Sequence, residues 1–492
     1  MDQLLNGLRC KLGSYVNQFN GQDNELYPQL VPNDKAYAYL LENIPLLDCP
    51  DKELEEIYYF RWWTFRKHWK LTEKGHIVTE FLPSVPWSGA YNSINCATCL
   101  HIREGRWLRD PEGWLQEYME FWMNCYGNTH DYSAWYPAAM WEYCTLRGDF
   151  AFGLRNLSKM IAFYNRREQE HQHVSGLYWS IDNWDGMEYS ISGTGLRPTM
   201  NSYAWADAIA IGNFATMAGD TATAQLYFDK AAALKAKVEE HLWDGVFYKT
   251  IPAETPQSEA QWERPPEHDV RELVGYIPWY FGLPEPGKTE VFQWLNCKDV
   301  FAAPAGLTTA EQGHPRFMEE FDHECLWNGP VWPFTTSQAL VAAANMLRRE
   351  SCSSFTPEDY YTLLLQYARS HHRTDEQGRV VPWIDENMHP YTGRWLSRDI
   401  LEEWGWPKEE KGGFERGKDY NHSLFCDLVL DGLLGIGSGA NGDICVNPLI
   451  PKDWDYFWVE NVTVQGNRYR IVYDRDGSHY GTTPGLHCYK LT

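Results

Sequence analysis

The chain has 492 residues and a formal charge of −24, from 43 basic and 67 acidic side chains. That balance excludes the usual partners of clustered Lys and Arg, a nucleic-acid backbone or an anionic membrane, and favours a neutral or weakly charged ligand. The length suits two or three average domains or one large helical barrel, with ample core to fold unaided.

No apolar run is long enough for a membrane helix, and the start, Met1-Asp2-Gln3-Leu4-Leu5-Asn6-Gly7, lacks the basic and apolar regions of a secretory signal. A cytoplasmic protein is the expectation. The 12 cysteines stand singly apart from Cys96-Ala97-Thr98-Cys99, with no second pair at zinc spacing, so reduced thiols and no metal are expected.

Along the chain, apolar residues recur at helical spacing over Trp114–Trp122, Ala134–Tyr143, Phe152–Tyr164, Ser202–Met217, Thr221–Leu242, Thr335–Leu347, Pro357–His371 and Ser423–Leu434. Start signals precede three of them, at Ser133, Asp220 and Thr356. The loops Glu80–Gly89 and Trp179–Pro198 are long and rich in Gly, Pro and Trp, the kind of segment on which sites are built. After Gly439 the pattern turns to strands, at Asp443–Ile450, Val459–Val464, Arg468–Tyr473 and Gly485–Leu491, with Asn-Arg and Asp-Gly turns nearby. The expected architecture is mainly α, an (α/α)6 barrel over residues 1–440 closed by a small antiparallel β-unit at 441–492.

Two segments carry the chemistry. Trp184-Asp185-Gly186-Met187-Glu188-Tyr189-Ser190 and Asp385-Glu386-Asn387-Met388-His389-Pro390-Tyr391-Thr392-Gly393 each set a carboxylate among aromatic, glycine and small polar residues. Glycosidic bonds are broken by such pairs, one carboxyl protonating the leaving oxygen while the other activates water or attacks carbon. The 24 Trp and 30 Tyr suit the same chemistry, because aromatic faces stack on the C–H faces of sugar rings, although many such rings simply fill cores.

On these residues the chain resembles the clan of inverting (α/α)6-barrel glycosidases, the family 63 and trehalase-like enzymes, and especially the mannosylglycerate-hydrolase-like group. Gly186-Met187-Glu188-Tyr189-Ser190 is similar to the clan's general-acid motif, with Glu where Asp is common. Glu386-Asn387-Met388-His389-Pro390-Tyr391-Thr392-Gly393 is similar to its general-base motif, and Trp327-Asn328-Gly329-Pro330-Val331-Trp332-Pro333 to a segment lining its sugar pocket. The resemblance spans residues 50–440 and implies Glu188 as acid and Glu386 as base, with Asp185 the alternative acid. Inversion implies carboxyls about 6.5–9.5 Å apart, with a water between base and sugar. The apolar neighbours Trp184, Met187 and Tyr189 would raise the pKa of Glu188, and the polar surroundings of Glu386 suit an ionised base.

Further pocket candidates are Trp62 and Trp63 as stacking platforms, and Arg61 as a fork of donors, the alternative being an ion pair with Glu53, Glu55 or Glu56. Asp131 and Trp135 resemble a hydroxyl-binding helix start in the clan, a helix cap being the alternative. Trp87, Arg197, Asn201, Trp332 and Gln338 complete the set, while His323-Glu324-Cys325 is read as non-metal. The implied activity is hydrolysis of a small α-glucoside or α-mannoside, an oligosaccharide or glycosyl conjugate, without a cofactor. A phosphorylase, a lyase or a non-catalytic carbohydrate-binding scaffold are the competing readings. The sequence leaves the oligomeric state open.

Overall fold

The computed structural model describes residues 2–491. It is rich in helix, and its helices fall into two kinds that the sequence explains. Pro198–Met217 and Pro333–Arg349 are buried on nearly every side, and their Ala, Ser, Thr and Gly residues let neighbours approach closely. Thr221–Lys237 instead buries one stripe, Ala224, Tyr227, Ala231 and Leu234. The two layers meet closely at Gly212, where a Cβ would lie 2.5 Å from the Phe228 ring.

Contacts between the inner elements run in a succession. Thr98–Gly105 packs on Tyr136–Arg147, which packs on Pro198–Met217. From there contact passes to Ile277–Phe281, to Pro333–Arg349, to the turns at Phe425–Leu433 and back to Thr98–Gly105. Buried ions tie the elements together: Arg103 and Arg106 both pair with Asp427 at 2.7 Å, and Arg167, on the helix Phe150–His171, pairs with Asp207 at 2.8 Å. No described helix is long and apolar enough to cross a membrane.

Most expected helices form with their expected caps. Asp220 accepts from the Thr223 amide, and Thr356 and Asp359 make a reciprocal capping box. Two differ. The helix expected after Ser133 begins at Tyr136, with Trp135 as its N-cap, because Trp135 has a non-helical backbone (φ −126°, ψ 57°). Ser423–Leu434 is not a regular α-helix: three α-helical residues run into a π-helical segment, Leu428–Leu433. The pattern also left unmarked the helices Asp2–Gln22 and Asn33–Asn43.

The C-terminal strands form an antiparallel sheet, Tyr456–Val464, Asn467–Asp474 and Gly485–Leu491, to which the early strand Leu46–Asp48 adds an edge. The first hairpin turns at Gln465-Gly466, both at positive φ (50° and 69°), the conformation that matches strand twist. The expected Asn-Arg turn is therefore displaced: Asn467 and Arg468 lie in the strand.

Candidate active site

The segment bearing Glu188 lies in the connection between Phe150–His171 and Pro198–Met217, and buried polar contacts fix it. Arg197, the residue before the second helix, pairs with Asp185 at 2.5 Å and with Asp182 at 2.6 Å. The second Asp185 oxygen accepts from Thr199 Oγ1 at 2.6 Å. Trp184 stacks on His171 with centroids 3.6 Å apart and donates from Nε1 to the His130 carbonyl. Gly186, at φ 85°, has no room for a side chain, since a Cβ would meet Cys96 Sγ at 2.9 Å. The Glu188 carbonyl accepts from the Trp327 amide at 2.9 Å, which joins this loop to the next wall.

Glu386 lies between the hairpin His372–Pro382 and the helix Leu396–Glu403. Met388 exchanges two backbone hydrogen bonds with Val331, each 2.9 Å, and forms a further bridge to Trp395. Asn387 donates to the Glu324 carbonyl and accepts from the Ser397 amide. The three motifs distant in sequence are thus one connected structure.

Glu188 and Glu386 line one cavity of about 170 Å³, the scale of a single sugar ring, together with Trp87, Trp327, Trp332, Tyr132 and Tyr420. Their electrostatics differ. Arg416 donates to Glu386 at 2.5 Å and to Glu324 at 2.9 Å, and Lys411 also pairs with Glu324 at 2.8 Å. Burial raises the Glu386 pKa above its usual value, and Arg416 opposes that rise. Glu188 has no cation of this kind. Burial, then the charges of Glu386 and Glu324, push its pKa up to about 7, although its side chain remains 25% exposed. The nearest basic group is His323 Nε2, 3.6 Å away, which burial holds below its normal pKa.

Residues lining the cavity also carry buried polar atoms with no partner among the described residues: Glu80 Oε2, Trp327 Nε1, His422 Nε2 and Arg416 Nε. Buried groups of this kind cost about 1–3 kcal/mol each when unpaired, so they suit a ligand that brings several hydroxyls. Glu80 accepts from Tyr420 at 2.5 Å, yet burial raises its pKa to about 8, so near neutrality it carries a proton it can donate.

Of the residues expected from sequence, Trp87, Trp332, Glu188 and Glu386 face this cavity. The others are engaged elsewhere. Both Asp185 oxygens are committed to Arg197 and Thr199, leaving none for proton donation, and Arg197 is committed to Asp182 and Asp185. Arg61 donates to Thr64 at 2.8 Å, and Glu53, Glu55 and Glu56 have other partners. Trp62 is buried against Tyr58 and Phe65, and Trp63 donates to Asn20 and faces a different cavity. Asp131 accepts from Asn128 three residues before it and caps no helix. Trp135 stacks on Tyr203 at 4.4 Å, Gln338 donates to the Tyr203 hydroxyl, and Asn201 is bonded to the Tyr178 and Arg197 backbone.

The residues that sequence reasoning missed are Glu80, Arg416, Tyr420 and His422, together with the role of the His323-Glu324-Cys325 run, which lines the cavity. Among the described residues no group of three His, Cys, Asp or Glu side chains is arranged to hold a metal ion.

A buried carboxylate, Glu386, and a half-buried one, Glu188, thus line one small aromatic cavity and are held differently, an arrangement that suits the breaking of glycosidic bonds. Residues 90–423 match the family model described as the mannosylglycerate hydrolase MGH1-like glycoside hydrolase domain, and the chain belongs to that family. A solved structure titled "Sialidase" is 36% identical over 98% of this chain, with a TM-score of 0.88, and the match covers 43% of that structure. The chain thus spans less than half the length of that relative. The GH78 family rhamnosidase of Bacillus sp. GL1 shares the fold at 12% identity and a TM-score of 0.57, over 88% of this chain and 40% of its own. The α-L-rhamnosidase of Aspergillus terreus does so at 12% identity and 0.51, over 92% of this chain and 50% of its own.

Proposed function

We propose that the chain is an inverting, exo-acting glycosidase that cleaves a small α-glucoside or α-mannoside, with Glu188 as general acid and Glu386 as general base. The observation that carries this reading is the electrostatic asymmetry across one cavity. Glu188, raised to about 7, keeps a proton to give; Glu386 is also raised by burial, but Arg416 beside it opposes that rise and favours its ionised form over that of Glu188. The small volume of the cavity favours a terminal sugar over an internal polymer unit. The cyclic succession of helix contacts supports an (α/α)6 barrel over residues 1–440, with 441–492 as its closing β-unit.

Inversion would require the two carboxyls about 6.5–9.5 Å apart, and retention about 5–5.5 Å. The test is hydrolysis of a panel of α- and β-linked disaccharides and glycosyl-glycerates, with NMR of the freshly released anomer. An α-substrate releasing β-sugar first supports the proposal, whereas α-sugar first overturns inversion. A second reading, hydrolysis of a sialoside, is favoured by the 36% identity to the structure titled "Sialidase". A sialyl-lactose arm in the same panel decides between them.

A further inference from the structure

A second cavity, of about 810 Å³, opens on the other side of the segment that carries the base. It has no part in the proposed reaction, since neither Glu188 nor Glu386 lines it. The volume falls within the range of about 300–1,000 Å³ common for small-molecule sites. Its walls include the aromatic side chains Trp63, Trp383, Trp395, Trp406 and Phe414. Phe414 is 52% exposed, and Trp406 meets it edge-on with centroids 5.5 Å apart, so the pair offers an accessible aromatic corner.

The cations of this cavity are not equivalent. Arg398 is engaged by Asp385 and Glu415, Arg379 by Asp375, Arg394 by Asp399, and Lys418 by Asp23. Arg373 forms no ion pair among the described residues. Its guanidinium lies 3.6 Å from the Trp383 ring centroid, and its Nε is buried without a hydrogen-bond partner among the described residues. Stacking fixes the plane of the fork while leaving its donors uncommitted, the arrangement that receives a carboxylate through two parallel hydrogen bonds.

From this placement we infer that the 810 Å³ cavity is a second ligand site, separate from the catalytic one, that binds a carboxylate-bearing saccharide, with Arg373 receiving the carboxylate and Phe414 and Trp406 receiving the sugar face. The aromatic corner alone would accept any sugar; the uncommitted guanidinium selects an acidic one. The inference stands whatever glycoside the catalytic cavity cleaves.

The test is titration calorimetry and saturation-transfer NMR with sodium D-glucuronate, with glucose and sodium acetate as controls. The proteins are the full chain, its Glu188→Gln variant, Arg373→Gln and Arg373→Lys. Saturable glucuronate binding that survives Glu188→Gln, falls tenfold or more in Arg373→Gln and is only partly kept in Arg373→Lys is the expected result. Glucose and acetate should each bind at least tenfold more weakly. Absence of saturable glucuronate binding to the full chain overturns the inference, as does binding indifferent to Arg373→Gln. Glucose binding as tight as glucuronate overturns the carboxylate role, and acetate binding as tight overturns the saccharide role. Arg373→Gln is checked by its melting temperature, and the partial loss of binding in a folded Arg373→Lys protein keeps the result interpretable should Arg373→Gln not fold; binding unchanged in Arg373→Lys overturns the paired role of the guanidinium.

Discussion

The guanidinium of Arg416 lies 2.5 Å from the carboxylate of Glu386, and no equivalent cation touches Glu188. This one contact sets the two carboxyls apart. Both are pushed toward the protonated form by burial; Lys411 and Arg416 resist the push at Glu188 from a distance, whereas Glu386 has Arg416 in direct contact. His323, the group nearest Glu188, is itself held toward neutrality by burial and supplies little counter-charge.

The pH dependence of kcat/KM follows. Activity needs Glu188 protonated, so it should fall as pH rises through about 7. It needs Glu386 ionised, so it should also fall on the acid side, with a midpoint above the ordinary Glu value of 4.5. In Arg416→Gln the opposing charge is gone and the Glu386 pKa rises further. The acid limb should then move upward by about 1–3 pH units, the usual effect of one adjacent opposite charge. An acid limb that stays in place separates Arg416 from the base.

Glu188→Gln keeps shape and hydrogen bonding but has no proton to donate. Turnover of a substrate with a poor leaving group should fall by about 10²–10⁴, the range for one general acid. A nitrophenyl glycoside, whose leaving group needs no proton, should lose far less. Equal losses on both substrates would refute the acid role.

Asp185→Asn tests the neighbouring carboxylate. It leaves Arg197 buried with Asp182 as its remaining anion, so stability should drop by about 3 kcal/mol, the lower end for breaking a buried pair. Denaturant titration measures this. The alkaline limb of kcat/KM should keep its midpoint in the folded variant, because the titrating acid is still Glu188.

Glu80 predicts a stability effect with a definite sign. Burial raises its folded pKa from 4.5 to about 8. Its favourable contribution is therefore complete below the unfolded value, declines as pH rises through that window, and is lost above it. Glu80→Gln cannot ionise. Relative to the unaltered chain its melting temperature should climb between pH 5 and pH 9, since only the unaltered chain must bury a charge. A constant difference across that range would mean that Glu80 is not protonated in the fold.

Sequence and structure agree where the information is local. Asp220 and Thr356 mark helix starts because each cap bonds an amide three residues on. The segments Gly186–Ser190 and Glu386–Gly393 are legible because each is contiguous. The rest of the cavity is not, because its members meet only through the fold: Glu80 and Tyr420, joined by a hydrogen bond, are 340 residues apart. Arg416 sits in a loop with no periodicity, so nothing local indicates that it reaches both Glu386 and Glu324. Trp135, Asp185 and Arg197 show the converse. They are polar or aromatic residues near a motif, and the structure uses them to hold the loop and the inner helices. The edge strand Leu46–Asp48 was illegible for a similar reason, as its partner lies at the far end of the chain.

The paired hydrogen bonds between Val331 and Met388 couple the aromatic wall at Trp332 to the segment bearing Glu386. Two sides of the cavity therefore behave as a single casting: displacing one drags the other, and with it the alignment of the base. Divergence toward new sugars is hard to achieve by shifting either side alone. It is left to flanks outside that ladder, such as the stretch around Trp87, where substitutions can reshape the cavity without displacing either paired side.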